Sequence, residues 1–329
     1  MLPAGRTIRC DLHSDIMMDI LPRWQRGEPD PLRTRHLSPL REAGLSAVVV
    51  SVGGDWHAMM PGDPDPTRLA LQMIDCLFRL VDAGTEFAVA GSAAEIETAV
   101  SEGRIALVLA LEGGRPLAGD LGMLRTFHRL GVRVLGLTHR YRNELGDGNG
   151  EAHTGSRLTR MGRAVVAAAQ DLGILLDLSH LNDAGVDDVL RFAARPVIAS
   201  HSNARAVCDH VRNLTDEHVA RIADGGGLIG VTPVGPYLRE EGSPSIADLL
   251  RHLEHLVRVV GVDHVGVGTD FVDYLGERYI DDISYPPEFC TTAQWSVFVD
   301  SLASAGWTEG DLQGILGGNF LRVFREAGG

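Results

Sequence analysis

Apolar and polar positions along the chain fall into two alternating rhythms. Short β-branched or leucine-rich runs recur at residues 7–13, 44–54, 104–114, 132–139, 173–180, 195–201, 227–234 and 264–271. Most are apolar on both alternating faces, the pattern of strands buried from both sides. Between them the period lengthens. Residues 163–173 put Val165, Val166, Ala169 and Leu172 on one stripe, closed by Gly173. Residues 183–194 align Val186, Val189, Leu190 and Ala193, and 215–227 opens on Thr215 as N-cap and ends in glycines. Strand and helix alternating eight times predict an α/β fold, a (β/α)8 TIM barrel. It would span 1–329 as a single domain with C-terminal helices. A doubly wound open sheet is the alternative, weakened because no Gly-x-Gly-x-x-Gly follows the first strand.

The ends of these runs differ from their interiors. The first ends in His13 and Asp15, the third in Glu112, the fourth in His139, the fifth in His180, the sixth in His201 and the eighth in Asp270. All strand C-termini of a barrel meet at one face, so these residues are expected to line one pocket. His13 and Asp15, two apart in an extended chain, project to one side and suit one metal ion. His180 and His201 come from neighbouring strands and suit a second, with Glu112 placed across the mouth to bridge them. Imidazole and carboxylate ligands fit Zn2+ best, with Mn2+, Co2+ or Fe2+ as alternatives. Two cations roughly 3.5 Å apart lower the pKa of a shared water toward neutrality, which makes hydrolysis the natural reaction class. Asp270 is the candidate to orient that water and carry its proton. Asp11, one layer deeper, reads as a structural carboxylate, and Ser14 points the other way.

The remaining histidines act as a control. His128, His218, His252 and His255 sit in helical patterns and are expected to be solvated. His264 begins a strand at the opposite face, and His36 has no partner nearby. His57, His153 and His210 fall in strand-following loops, where a pocket role is open.

Charge narrows the partners. The formal net charge is −14, with no Lys/Arg-rich run, which disfavours nucleic acid and anionic membrane surfaces and leaves a small molecule or peptide. Cys10, Cys76, Cys208 and Cys290 include no C-x-x-C pair, so a disulfide framework is not expected and a reducing, cytoplasmic setting fits. No secretory h-region, lipid-anchor tail or apolar run of about 20 residues is visible in the sequence.

The stretches DLHSD, LALEGG, LTH, LDLSH, the long segment from Ser200 to Val231, and VGVGTDF stand in the order found in the membrane (renal) dipeptidase family. This is peptidase family M19 of the amidohydrolase superfamily, and the chain resembles it from residue 7 to about 325. The resemblance implies a dizinc barrel that cleaves dipeptides, often with a D-residue at the C-terminal position. It implies one zinc on His13, Asp15 and Glu112, and the other on Glu112, His180 and His201. His139 would polarise the scissile carbonyl, Arg212 would grip the substrate carboxylate, and Asp270 would be the acid/base group. Residues alone would make Arg212 a surface arginine before a helix, and Arg205 a helix-surface residue. Family members often form dimers, so a homodimer is also expected. The chain departs from the family in DFVD at 270–273, where DFDG is common, and in TPVGPYL at 232–238. It also departs in a Gly-rich loop at 140–157 that brings Arg140, Arg142 and Glu144 near the pocket. Those loops bear on substrate choice, so another amide or lactone, such as an N-acyl amino acid or cyclic amide, is the second reading. A non-catalytic binding barrel is the third.

Overall fold

The structure, a computed structural model, describes residues 8–60, 62, 64–275 and 283–328. The start of the first predicted strand, Thr7, lies outside them. Nine parallel strands are seen among the described residues: β1 Cys10–Ser14, β2 Ala47–Gly54, β3 Phe87–Val89, β4 Ile105–Glu112, β5 Val132–Gly136, β6 Leu175–Asp177, β7 Ile198–Ala199, β8 Leu228–Val231 and β9 Val265–Val267. Eight answer the eight predicted runs, and they pair in the order β1-β2-β4-β5-β6-β7-β8-β9. The ninth, β3, was not expected. It pairs with Ile105 to Leu107 of β4, while β5 pairs from Leu109 to Glu112, so the long strand β4 serves two short neighbours in succession.

The sheet nearly closes into a barrel. At the seam between β9 and β1, the backbone N–H of Asp270 donates to His13 O at 3.4 Å. The Asp11 carboxylate accepts from Thr269 N at 2.9 Å and Thr269 Oγ1 at 2.5 Å. Asp11 is thus a buried cross-seam tie, in keeping with its structural reading.

Strand alternation sorts the core. Cys10, Leu12, Ala47, Val49, Ala106, Val108, Ala110, Val134, Leu175, Ile198 and Leu228 form one buried cluster drawn from seven strands. Phe320 and Phe324 of the C-terminal helix Asn319–Ala327 join it. Gly317 lets that chain end press against the Ile8 carbonyl just before β1, where a Cβ would collide. The C-terminal segment therefore seals the end of the barrel opposite the strand C-termini. The other faces, such as Val48, Val50, Leu107 and Leu109, pack with Leu69, Met73 and Leu77 of the helix Pro66–Asp82.

The expected helices form at Arg160–Asp171, Asp183–Phe192 and Asp216–Asp224. The last is capped by Thr215, whose hydroxyl accepts from His218 N. All four cysteines are free thiols. Among the described residues no helix is long and apolar enough to cross a membrane.

Candidate metal centre

The barrel brings His13, Asp15, Glu112, His139, His180, His201 and Asp270 to one end. Glu112, the last residue of β4, lies at the middle. Its Oε1 is 3.0 Å from His180 Nε2, 3.5 Å from His13 Nε2, 3.6 Å from His201 Nε2 and 4.0 Å from His139 Nε2. His13 Nε2 also faces Asp15 Oδ2 at 3.6 Å and Asp270 Oδ1 at 3.8 Å. The imidazoles crowd one another: His13 and His201 ring centroids are 4.0 Å apart, and His139 and His180 are 4.2 Å apart. Three overlapping triads, His13/Glu112/His201, Glu112/His139/His180 and His13/Asp15/Asp270, each keep their ligating atoms within 4.8 Å of one another.

This donor set fits cations. His13 Nε2, Asp15 Oδ1 and Glu112 Oε2 are buried without a hydrogen-bond partner, a costly state unless something positive satisfies them. Burial raises the Glu112 carboxyl well above its ordinary range, and the neighbouring Asp15 charge adds to this. Burial alone would depress His13, but the Glu112 and Asp15 carboxylates outweigh it and hold the imidazole well above its ordinary value. His180 and His201 are pushed well below theirs, first by burial and then by surrounding cations, so they are neutral with a lone pair to offer. Buried carboxylates that call for positive charge, beside neutral imidazoles, are what a divalent metal site requires.

Backbone strain and buried ties hold these side chains in place. His180 (φ 69°) and Asp270 (φ 53°) adopt the left-handed conformation that non-glycine residues avoid. Asn149 N donates to the His180 carbonyl at 2.7 Å, and the Tyr285 hydroxyl donates to the Asp270 carbonyl at 2.5 Å. Asp177 repeats the role of Asp11. Each aspartate accepts from the backbone N–H two residues on, His13 at 3.3 Å and Ser179 at 3.0 Å. Each also accepts the backbone N–H and hydroxyl of the residue that precedes a site residue on the next strand. These are Thr269, before Asp270, and Ser200, before His201; the Ser200 N–H lies 2.9 Å from Asp177. Asp55 does similar work at the next loops, accepting from Arg115 N, Asn143 Nδ2 and His139 N. Sequence reasoning missed Asp177, Ser200, Thr269, Asp55, Asn143 and Tyr285. The one available signal was the repetition of Asp-Leu before both His13 and Ser179-His180.

Arg212 is not a surface residue. It is 4% exposed, with Nη1 donating to Ser202 Oγ at 3.1 Å and its Cζ 5.5 Å from the Tyr237 ring centroid. Its Nε and Nη2 have no partner, so two donors of the guanidinium fork are free for a ligand. His210 packs against Tyr237, ring centroids 4.9 Å apart and tilted by 35°, and accepts from Arg212 N at 3.1 Å. His139, with a side chain 22% exposed, reaches the open part of the pocket. Burial, followed by nearby cations, takes its pKa down to about 4. Burial lifts Asp270 to about 6, helped by the Asp15 charge and opposed by His13 and Arg212.

Several expectations about the other residues are corrected. His218 and His252 are buried, not solvated. His252 accepts from Ala204 N and pairs with the Leu238 carbonyl, because its helix face turns inward onto the loop after β7. His218 faces Asp187 at 3.4 Å. His36 does have a partner, Asp19, at 3.2 Å. Arg205 lies in a turn, not on a helix, and grips Asp183 with both terminal nitrogens. His153 is 77% exposed, beside Glu151. In the loop after β5, Arg142 is committed to Asp147 and Glu144 is exposed, whereas Arg140 is exposed next to His139.

Residues 5–328 match the family described as membrane dipeptidase (peptidase family M19). Dipeptidase 3 of Mus musculus is 33% identical over 292 residues, covering 82% of this chain and 54% of its own length. Dipeptidase aclJ of Aspergillus oryzae is 32% identical over 295 residues, 86% of this chain and 68% of its own. The chain spans about half the length of the mammalian relatives it matches. Among solved structures, a metallo peptidase from Rhodobacter sphaeroides, liganded with a phosphinate mimic of the dipeptide L-Ala-D-Ala, superposes with a TM-score of 0.86. It is 27% identical, covering 98% of this chain and 100% of that one.

Proposed function

The chain belongs to the membrane dipeptidase family, peptidase family M19, and from that premise we propose that it is a zinc-dependent dipeptidase. The observation that carries the reading is the convergence of His13, His180 and His201 on one oxygen of Glu112, with Asp15 completing the set. His13, Asp15 and Glu112 would hold one zinc, and Glu112, His180 and His201 the other, with Glu112 shared. When bound, the two ions supply Lewis acidity that lowers the pKa of water toward neutrality.

The chain's own residues do the rest. Arg212 presents Nε and Nη2 to the α-carboxylate of the substrate, a charge-assisted fork that sets the position of the scissile amide. His139, neutral at physiological pH, donates its N–H to the carbonyl oxygen as negative charge develops there. Asp270, with a pKa near 6, takes the proton of the attacking water and passes it to the departing amine nitrogen. Left-handed backbone at Asp270, braced by Tyr285, aims that carboxylate inward. Substrates of the form Xaa–D-Xaa come first, in line with the L-Ala-D-Ala mimic held by the Rhodobacter relative, with Xaa–L-Xaa second. The whole of 1–329 is read as one hydrolase domain. Its four free thiols, three of them buried, support a reducing cytoplasm.

A panel of dipeptides and N-acyl amino acids, assayed on zinc-loaded protein alongside metal analysis, tests the reading. About two zinc per chain and turnover of Xaa–D-Xaa dipeptides are expected. Full metal loading without turnover of any dipeptide would refute the dipeptidase assignment. Arg212→Ala should raise KM for carboxylate-bearing substrates by roughly 100-fold. An unchanged KM would favour an amide or lactone that lacks the carboxylate.

A further inference from the structure

The loop after β5 carries a cation that neither the metal centre nor the fold uses. Arg140 follows His139 directly and is exposed. Among the described residues its guanidinium has no carboxylate partner. It lies by the Tyr141 ring, with Cζ 5.7 Å from the centroid. Arg142, two positions on, shows the contrast: Asp147 holds it at 2.5 and 2.8 Å.

The loop is built around the Arg140 backbone. Gly150 N donates to its carbonyl at 2.8 Å. A Cβ on Gly148 would collide with the His139 carbonyl oxygen, and one on Gly150 with the Arg140 carbonyl oxygen. The two glycines therefore let the loop close down on residues 139 and 140 and fix where Arg140 leaves the barrel. Asn143 locks the base of the loop, donating to Asp55 Oδ2 and Leu137 O and accepting from Leu145 N and Gly146 N. A cation on so firmly held a loop is placed, not adrift.

Its surroundings identify the direction it serves. Arg140 and Arg212 both act electrostatically on the same three groups, His139, His210 and Tyr237. Arg212 lies against Tyr237, and Tyr237 against His210. Arg140 thus borders the side of the pocket where the C-terminal residue of a dipeptide would sit. Arg212, buried, is matched to the α-carboxylate; Arg140, exposed on the loop after β5, is the second cation on that side. A chain of net charge −14 that leaves a second cation unpaired at this rim has a use for negative charge there.

We propose that Arg140 is a specificity residue that selects dipeptides whose C-terminal residue carries a side-chain carboxylate, Xaa-Asp or Xaa-Glu, by pairing with that carboxylate while Arg212 holds the α-carboxylate. This rests on the dipeptidase reading. The test uses matched pairs that differ only in charge: Ala-D-Asp against Ala-D-Asn and Ala-D-Glu against Ala-D-Gln, with the L-series alongside. In each pair the zinc-loaded protein should favour the acid by about tenfold in kcat/KM, the scale of one charge-assisted contact at a partly exposed site. The ratio should shrink as salt rises. In Arg140→Gln it should fall to about one, and Arg140→Lys should restore part of it. Because the ratio is internal to each variant, a loss of active protein cannot mimic the result. Turnover of the amide members alone upholds the dipeptidase reading, so an acid-to-amide ratio near one in the wild type overturns this proposal on its own. A ratio that survives Arg140→Gln also overturns it. No turnover of either member while other dipeptides are hydrolysed overturns this proposal alone, and no turnover of any dipeptide refutes both.

Discussion

His201 Nδ1 lies 2.7 Å from the Ser200 hydroxyl oxygen, and that hydroxyl is itself bound to Asp177. Asp177 Oδ1 already accepts two backbone N–H groups, from Ser179 and Ser200, so the carboxylate acts as an acceptor throughout. The Ser200 proton therefore points to Asp177, and the serine oxygen accepts from His201 Nδ1–H. This fixes the tautomer and leaves the His201 Nε2 lone pair facing Glu112 and His180.

Ser200→Ala should release that tautomer and, on the proposed ligand set, weaken cation binding at His180 and His201 by about 10- to 100-fold. Chelator competition measures it, and Ser200→Thr should recover most of the loss. Wild-type affinity in the alanine variant would show that packing alone orients the ring.

Tyr285→Phe removes the hydroxyl that donates to the Asp270 carbonyl. A left-handed aspartate costs roughly 1–2 kcal/mol, so without this brace the carboxylate spends less time aimed at the metal centre. The expected result is a kcat lowered roughly tenfold with KM nearly unchanged, read from saturation kinetics on a hydrolysed dipeptide. A fall confined to KM would instead assign Tyr285 to substrate binding.

Asn143→Ala should destabilise the protein by about 3 kcal/mol, because Leu137 O, Leu145 N and Gly146 N each lose a partner in a buried setting. Thermal or denaturant unfolding gives the number. Asn143→Asp should do little better, since its carboxylate would face that of Asp55 in place of an amide N–H.

His252 makes folding sensitive to mild acid. Burial first, then Arg251 and His255, take its pKa down to about 4 against the backbone contact with Leu238. The unfolded chain, near 6.5, binds a proton that the folded chain refuses. This contribution to stability is complete above about pH 6.5 and is lost as pH falls toward 4, at up to roughly 1.4 kcal/mol per pH unit. Unfolding free energies measured between pH 7 and 4.5 should show this slope, and His252→Gln should flatten it by the same amount. An unaltered slope in that variant would assign the acid sensitivity to other groups.

Much of the barrel and of the polar cluster at its mouth was legible in the chain. Runs apolar on both faces mark buried strands, and polar residues confined to their C-terminal ends mark a pocket, because a parallel barrel has no other place to gather them. His13, Glu112, His180 and His201 were readable for that reason. β3 was not: three residues carry too little period to separate a strand from a loop.

The sequence by itself determined which residues stand at the strand ends, and so the chemistry the molecule offers. Only the tertiary structure decided how that chemistry is held. Asp11 and Thr269 are 258 positions apart, Asp177 and Ser200 are 23 apart, and His252 meets Ala204 across 48. The same holds for Arg212, buried though its local stretch reads as a polar loop, and for Arg140, left without a carboxylate while Arg142 finds one. Periodicity reports which face of an element is apolar. It carries no record of which distant loop will cover a polar side chain, or leave it open, and that covering sets the burial, the tautomers and the free charges of the site.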